Sequence, residues 1–391
     1  MTHAYTKHMQ KRLNTTNTQQ AIQAAGLTQT SIAEKLGVSK EAVSQWLNDK
    51  SFPRPNKLLQ LGKLLNLALH ELVIKEEPNA PKIAFRKMKG TKTKDHHIEK
   101  AQEIGRFLRE LVPFLPFDTL EMPPVFKSPS CDYAFLCKAA TKVREDINLG
   151  ATDTIDFNHL IRRFSELQAV VIPVLWGSKS SKNCHENAVH IYLPDSQSTW
   201  VYLNLDTNIH DFKFWMAHEL GHCLSPNLEG DEAEDFADAF AGSLLYPHEL
   251  AEKAYTSINQ QPTNATKIAH VVALANAQTI SPYTVIRQVN KYALHVNNPE
   301  IDLGDAFHGA VTNFNKKYHN LSDALFVGIA QDDNGKPSAR DYIAKVEYSF
   351  KTPFFDLLRS YLKQNNKGPG FVQTVLDMPL LDARSIHTEL T

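Results

Sequence analysis

The sequence predicts a multidomain chain, mainly α with an α+β part. Its 391 residues suffice for two to four domains at roughly 100–200 residues each. Helical apolar spacing marks both ends, while the stretch from Leu160 to Leu224 reads helix, three strands, helix. Charge is unevenly spread. Residues 1–100 hold 17 Lys and Arg against 8 Asp and Glu, a balance of +9, and the rest carries −10. A basic head on an acidic body suggests that only the head meets a polyanion. The expected division is an all-α N-terminal domain (1–75), a basic linker and helix (76–130), a central α+β domain with a small sheet (131–295) and a mostly helical C-terminal region (296–391).

Composition narrows the class further. With 42% hydrophobic and 22% charged residues, the chain reads as an ordinary soluble globular protein. The N-terminus lacks an apolar signal-peptide core, and the longest apolar run, AVVIPVLW (169–176), is too short to span a bilayer. Cys131, Cys137, Cys184 and Cys223 form no CxxC pair and read as reduced thiols, so a cytoplasmic location without membrane contact is expected.

In TQTSIAEKLGVSKEAVSQWL, one apolar face holds Ile32, Ala33 and Leu36, and a second holds Ala42, Val43, Trp46 and Leu47. Gly37 suits the tight turn between them, and Ser39 suits the cap of the second helix. Two short helices joined in this way make a helix-turn-helix, whose second helix enters the DNA major groove N-terminus first. The expected DNA contacts are Gln29, Ser39, Lys40, Glu41, Ser44 and Gln45. Gln45 suits adenine, Lys40 guanine or a phosphate, and Gln29 a phosphate. LTQTSIAEKLGVSKEAVSQWLNDKSFP resembles the XRE-family (Cro/CI-type) regulators over about 55 residues. That resemblance implies a homodimer on a double-stranded DNA operator. The following stretch carries Lys82, Arg86, Lys87, Lys89, Lys92 and Lys94 before its first acid, Asp95, and reads as a solvated connector or an arm along the DNA backbone.

Further on, DFKFWMAHELGHCL reads as a helix with Asp211 as its expected N-cap. His218 and His222, four apart, project from one face and suit two corners of a tetrahedral zinc site. Glu219, on the flank, is placed to take a proton from a metal-bound water, and Gly221 lets another backbone approach the metal closely. A third ligand is needed. EDFADAFAGSLLYP reads as a second core helix with Glu234 and Asp238 one turn apart, so Glu234 suits the ligand and Asp238 suits a histidine N–H. Asp231 and Glu232 are rivals nearer the loop. Tyr246, His248 and His210 suit oxyanion stabilisation by residue type. His185, His190, His270, His295, His308 and His319 lack ligand spacing and are expected to be ordinary surface or core residues. Cys223 is read as packing.

Residues 131–295 resemble the ImmA/IrrE family of zinc metallopeptidases. The resemblance rests on the strand VYLNL, on FWMAHELGHCL and on E-x-x-A-D-x-F-A-x-x-L-L-x-P from Glu234 to Pro247. It implies a zincin-like fold of gluzincin type, with Zn2+ on His218, His222 and Glu234 and with Glu219 as catalytic base. The family often has another glutamate just before the alanine; Phe236 stands there, which favours Glu234. Members are known for cleaving helix-turn-helix repressors, and some carry an XRE-type domain. The expectation is a DNA-binding regulator with a zinc endopeptidase domain acting on a repressor or partner protein. A substrate strand is expected to add to WVYLNL as an exposed edge. The alternatives are a regulator whose metallopeptidase-like domain only senses or binds, and an antitoxin or immunity component. The C-terminal region carries no motif of its own.

Overall fold

The structure, a computed structural model, describes residues 10–48, 50–76, 79–84, 95–117, 125–176, 188–332 and 335–391. It consists of two compact units, Met1–Ala80 and Pro81–Thr391. No helix among the described residues is long and apolar enough to cross a membrane.

In the first unit, β1 (Gln10–Leu13) leads into α1 (Thr15–Ala24), α2 (Gln29–Leu36), α3 (Lys40–Leu47), α4 (Pro55–Leu65) and α5 (Leu69–Leu72). β2 (Val73–Glu76) then returns to pair antiparallel with β1, a strand pair that the helical patterning did not reveal. Local chemistry sets the boundaries. Thr28 Oγ1 accepts from Ser31 N and Ser39 Oγ accepts from Ala42 N, each at 3.1 Å, so both helices of the central pair start on a side-chain cap. Gly37, at φ 60°, closes α2 in the left-handed conformation that the turn requires. Ile32, Ala33 and Leu36 pack with Val43, Trp46, Leu47 and the α4 leucines as one core. That burial fixes the angle between α2 and α3 and leaves the opposite face of α3 in solvent.

The second unit begins with β3 (Lys82–Ala84), α6 (Asp95–Leu108) and a 3-10 turn (Arg109–Phe114). Next come α7 (Tyr133–Asp146), α8 (Phe157–Glu166), β4 (Ala169–Val174), β5 (Ala188–Leu193), β6 (Ser198–Asn204), α9 (Ile209–Leu224) and α10 (Gly230–Leu245). The chain ends with α11 (His248–Asn259), α12 (Asn264–Gln278), α13 (Pro282–His295), α14 (Ala306–Lys316), α15 (Leu321–Leu325), α16 (Ala339–Phe350), α17 (Phe354–Asn365), α18 (Pro369–Leu376) and α19 (Leu380–Leu390). The sheet order is β3-β5-β6-β4, antiparallel except for the β6–β4 pair. The molecule is thus mainly helical, with a small four-stranded sheet.

Sheet order corrects two expectations. WVYLNL does not form an exposed edge: β6 is paired on both sides, and the edges are β3 and β4. Lys82–Ala84 is not a solvated connector, because its backbone completes the sheet against β5. Arg86, Lys87, Lys89, Lys92 and Lys94 lie outside the described residues. A third correction concerns α9. Its N-cap is Asn208, whose Oδ1 accepts from His210 N at 3.0 Å, and Asp211 sits inside the first turn. Cys131, Cys137 and Cys223 are free thiols, and Cys184 lies outside the described residues.

One continuous core runs from Ala101 to Leu390, so the C-terminal helices share it with the sheet. Side chains from the C-terminal region also satisfy the edge strand. Thr352 Oγ1 donates to Val171 O, and Tyr342 Oη donates to Pro173 O, two residues along β4. Trp176 Nε1 donates to Leu376 O at 2.9 Å, and Tyr202 Oη donates to Val375 O at 2.7 Å. Covering an edge in this way removes a template for unwanted strand pairing.

α9 and α10 pack closely. A methyl group placed on Gly221 would lie 3.1 Å from Ala237 Cα and 3.2 Å from Phe240 Cδ1. The bare glycine therefore serves the helix crossing. Gly221→Val is expected to destabilise the protein by about 1–3 kcal/mol, because the interior has no slack for added methyls. Urea unfolding measures this, and a midpoint equal to that of the parent would refute the crossing as a tight constraint.

Candidate metal centre and nucleic-acid face

His218 and His222 stand one turn apart on α9, and Glu234 and Asp238 stand one turn apart on α10. Their pairing shows that the two helices run in opposite directions. His222 Nε2 lies 3.3 Å from Glu234 Oε1, and His218 Nδ1 donates to Asp238 Oδ1 at 2.9 Å. His218 Nε2 lies 3.5 Å from Glu234 Oε2 and 3.1 Å from His222 Nε2. These three residues are buried, and their ligating atoms gather within 4.8 Å. Asp231 and Glu232 are exposed in the first turn of α10 and stay outside the group.

The spacing fits a metal. A tetrahedral zinc ion with bonds of about 2.0–2.1 Å sets its ligands about 3.3–3.4 Å apart. Among the described residues, neither oxygen of Glu234 nor Glu219 Oε2, all buried, forms a hydrogen bond, and only the two imidazoles stand in ion-pair range of Glu234. Buried oxygens of this kind are costly unless a cation faces them. Asp238 holds the His218 proton on Nδ1, which turns the Nε2 lone pair toward Glu234 and His222.

Electrostatics point the same way. Burial opposes a charge on His218, but the hydrogen bond to Asp238 and the nearby Glu234 carboxylate outweigh it and raise the pKa to about 9. Burial likewise opposes the Glu234 carboxylate, yet the two histidines bring it down to about 2. Burial raises Glu219 to about 8, against the pull of His218. Burial lowers His222. With only protons available, His218 carries the positive charge that faces the Glu234 carboxylate.

A further histidine is present that sequence spacing dismissed. His190 on β5 is 4% exposed, and its ring lies 5.5 Å from that of His222. Its Nε2 is buried with no partner among the described residues, and burial holds the imidazole neutral, well below its usual pKa. It is a core histidine, as expected, but one with an unsatisfied nitrogen. Helix α6 packs at Ile191, and strand alternation turns His190 to the other face, where α9 crosses. A lone histidine in a strand has no local signal; the partner is 32 residues away.

The three residues expected by type to steady an oxyanion are held elsewhere. His248 Nδ1 bonds Tyr133 Oη at 3.0 Å. His210 bonds Asn208 and packs on Phe314 and Tyr318. Tyr246 is buried in the core at the end of α10. Cys223 is buried packing, as expected. Of the other histidines, His270 bonds Ser257, His295 stacks on Tyr133 and His308 bonds Tyr283, while His185 lies outside the described residues.

In the first unit, Ser39, Lys40, Glu41 and Gln45 are exposed on or before the first turns of α3, and Ser44 is half-buried. Glu41, Ser44 and Gln45 share one face with Asn48, which sequence reasoning left out and whose Nδ2 donates to Ser44 O at 2.8 Å. Ser39 spends an oxygen lone pair on its cap, so its hydroxyl hydrogen is what remains to offer a phosphate. Gln29 is half-buried at the start of α2, a position that suits backbone contact.

No curated protein matches the chain. A protein-family model described as helix-turn-helix (HTH_3) matches residues 19–72. The N-terminal unit is therefore an XRE-type helix-turn-helix domain that binds double-stranded DNA, the mark of a transcriptional regulator.

Proposed function

We propose that this regulator is also a zinc-dependent endopeptidase, of the ImmA/IrrE and zincin-like kind its sequence resembles, that cuts a repressor or partner protein. The reading rests on one observation: His218, His222 and Glu234 converge at zinc-ligand spacing with Glu219 buried beside them. Zinc, when bound, supplies Lewis-acid polarisation of the scissile carbonyl and a more acidic water. The chain's own residues do the rest. Glu219 accepts the proton of the attacking water and returns it to the leaving amine. A buried carboxylate whose pKa lies near neutrality is suited to both steps. Asp238 keeps His218 in the required tautomer. A homodimer on its operator and a cytoplasmic location belong to the same reading.

Metal analysis of the purified protein is the direct test. About one zinc per chain is expected, lost in His222→Ala because an open catalytic site has three protein ligands. Glu219→Gln is expected to keep the zinc and abolish cleavage. A Glu219→Gln chain that performs every cellular function of the parent would refute the peptidase and leave a regulator that senses or binds.

Zinc affinity carries a pH signature. His218 of the metal-free protein holds a proton up to about pH 9, and a ligand histidine must release it. Apparent affinity is expected to rise roughly tenfold per pH unit from pH 6 to about 9, the slope for one displaced proton. Chelator competition across that range measures it; a flat profile would contradict the assignment of His218 as ligand.

On the DNA side, Gln45→Ala is expected to weaken operator binding by roughly 1–3 kcal/mol, the worth of a bidentate base contact, and to leave zinc content unchanged. Equal binding by parent and variant in a gel-shift titration would remove Gln45 from the recognition surface.

A further inference from the structure

We propose that His190 is a catalytic residue of the metal centre: it donates the hydrogen bond that steadies the substrate's carbonyl oxygen as it becomes an oxyanion. The inference rests on the peptidase reading above and deepens it.

A histidine buried to this degree normally has both ring nitrogens satisfied, because an unpartnered polar atom inside a fold is costly. His190 Nε2 has no partner among the described residues. The imidazole is nevertheless held in place by its strand: His190 pairs with Ala84 on one side and Val201 on the other. Strand geometry turns it to the face that α9 crosses, and the ring stops 5.5 Å from that of His222. It stands outside the group whose ligating atoms gather within 4.8 Å. Its ring thus stands beside that of His222 without belonging to the group of three, a place from which it can serve a group bound there. Its neighbour β3 is an edge strand, so His190 lies on the second strand from that end of the sheet.

The chemistry needs a donor of this type. As the water oxygen bonds to the carbonyl carbon, its proton passes to Glu219 and the carbonyl π pair moves onto oxygen. Breaking the C–N bond returns that pair to the carbonyl, and the departing nitrogen takes the proton back from Glu219. His190 gives and takes no proton in this sequence. Its N–H stabilises the negative oxygen, and a rigid donor in a water-poor site is worth more than one in solvent. Tyr246, His248 and His210 are the other residues suited by type, and none of them is seen to contact the ligand group.

The test uses the full chain loaded with Co2+, whose visible spectrum reports the ligand set, and acetohydroxamic acid, whose oxygens occupy the position of the reacting carbonyl. His190→Ala and His190→Phe, the second keeping the ring volume, are expected to bind one Co2+ per chain with the parent's spectrum. Both are expected to bind acetohydroxamate about ten- to a hundredfold more weakly, the loss of one hydrogen bond to a charged group. His190→Gln, which retains an N–H donor, is expected to recover part of that loss. Unchanged acetohydroxamate affinity in both donor-free variants would overturn the proposal. An altered Co2+ spectrum before the hydroxamate is added would also overturn it, by making His190 a metal ligand. A parent chain that takes up no Co2+ fails at an earlier step, and that result would bring down the metal reading itself.

Discussion

The second unit depends on the contact between α9 and α10. Gly221 presents no side chain and Ala237 only a methyl, so the two helix backbones approach closely. Within one turn of this contact lie His218, His222, Glu234 and Asp238. Because the helices run in opposite directions, His222 comes to Glu234 and His218 to Asp238. A bulkier residue at the crossing would separate all four at once. Phe236 and Phe240 on α10, stacked at 6.0 Å with Phe126 against both, hold the crossing from the core side. Metal geometry and core packing are therefore one constraint here.

The same crossing concentrates charge where water is scarce. Glu219 and Glu234 are buried, and Asp238 reaches the surface beside His218. Burial alone would drive both buried carboxylates to their neutral forms. The two glutamates respond in opposite ways. Glu234, facing two imidazoles, stays ionised, while Glu219 is pushed toward the neutral acid. Two carboxylates set apart by their surroundings suit the proposed division between a ligand and a proton carrier.

Legibility in the sequence followed the range of the interactions. The helix-turn-helix was legible because its signals are local: Ser39 caps the helix it begins, and Gly37 turns the chain where it stands. His218, Glu219 and His222 were legible because helical spacing places them. Glu234 needed an argument across two helices, and its own helix's clear apolar face was enough to bring it beside the two histidines. Everything that depended on sheet order was hidden. β6 was expected at an edge and is internal, since nothing in its own residues says that β4 and β5 flank it. His190 was missed for the same reason. The C-terminal helices showed no motif because their work is done by single donors, such as Thr352 to Val171 O, nearly two hundred residues from their partners.

A structural metal site and a catalytic one differ in what they leave unsatisfied. A structural site is closed: its ligands fill every position, and the remaining polar atoms pair with one another. Two groups here break that rule. Glu219 Oε2 and His190 Nε2 are both buried, both without a partner, and set on different elements of the fold. Each costs stability that apolar residues of similar volume would not. One is an acceptor beside the ligands and the other is able to donate. A peptide bond under attack by water requires that pair, a base for the proton and a donor for the oxygen. Under the proposed peptidase reading, their joint presence beside His218, His222 and Glu234 suits a reacting site better than a metal that only holds the fold together.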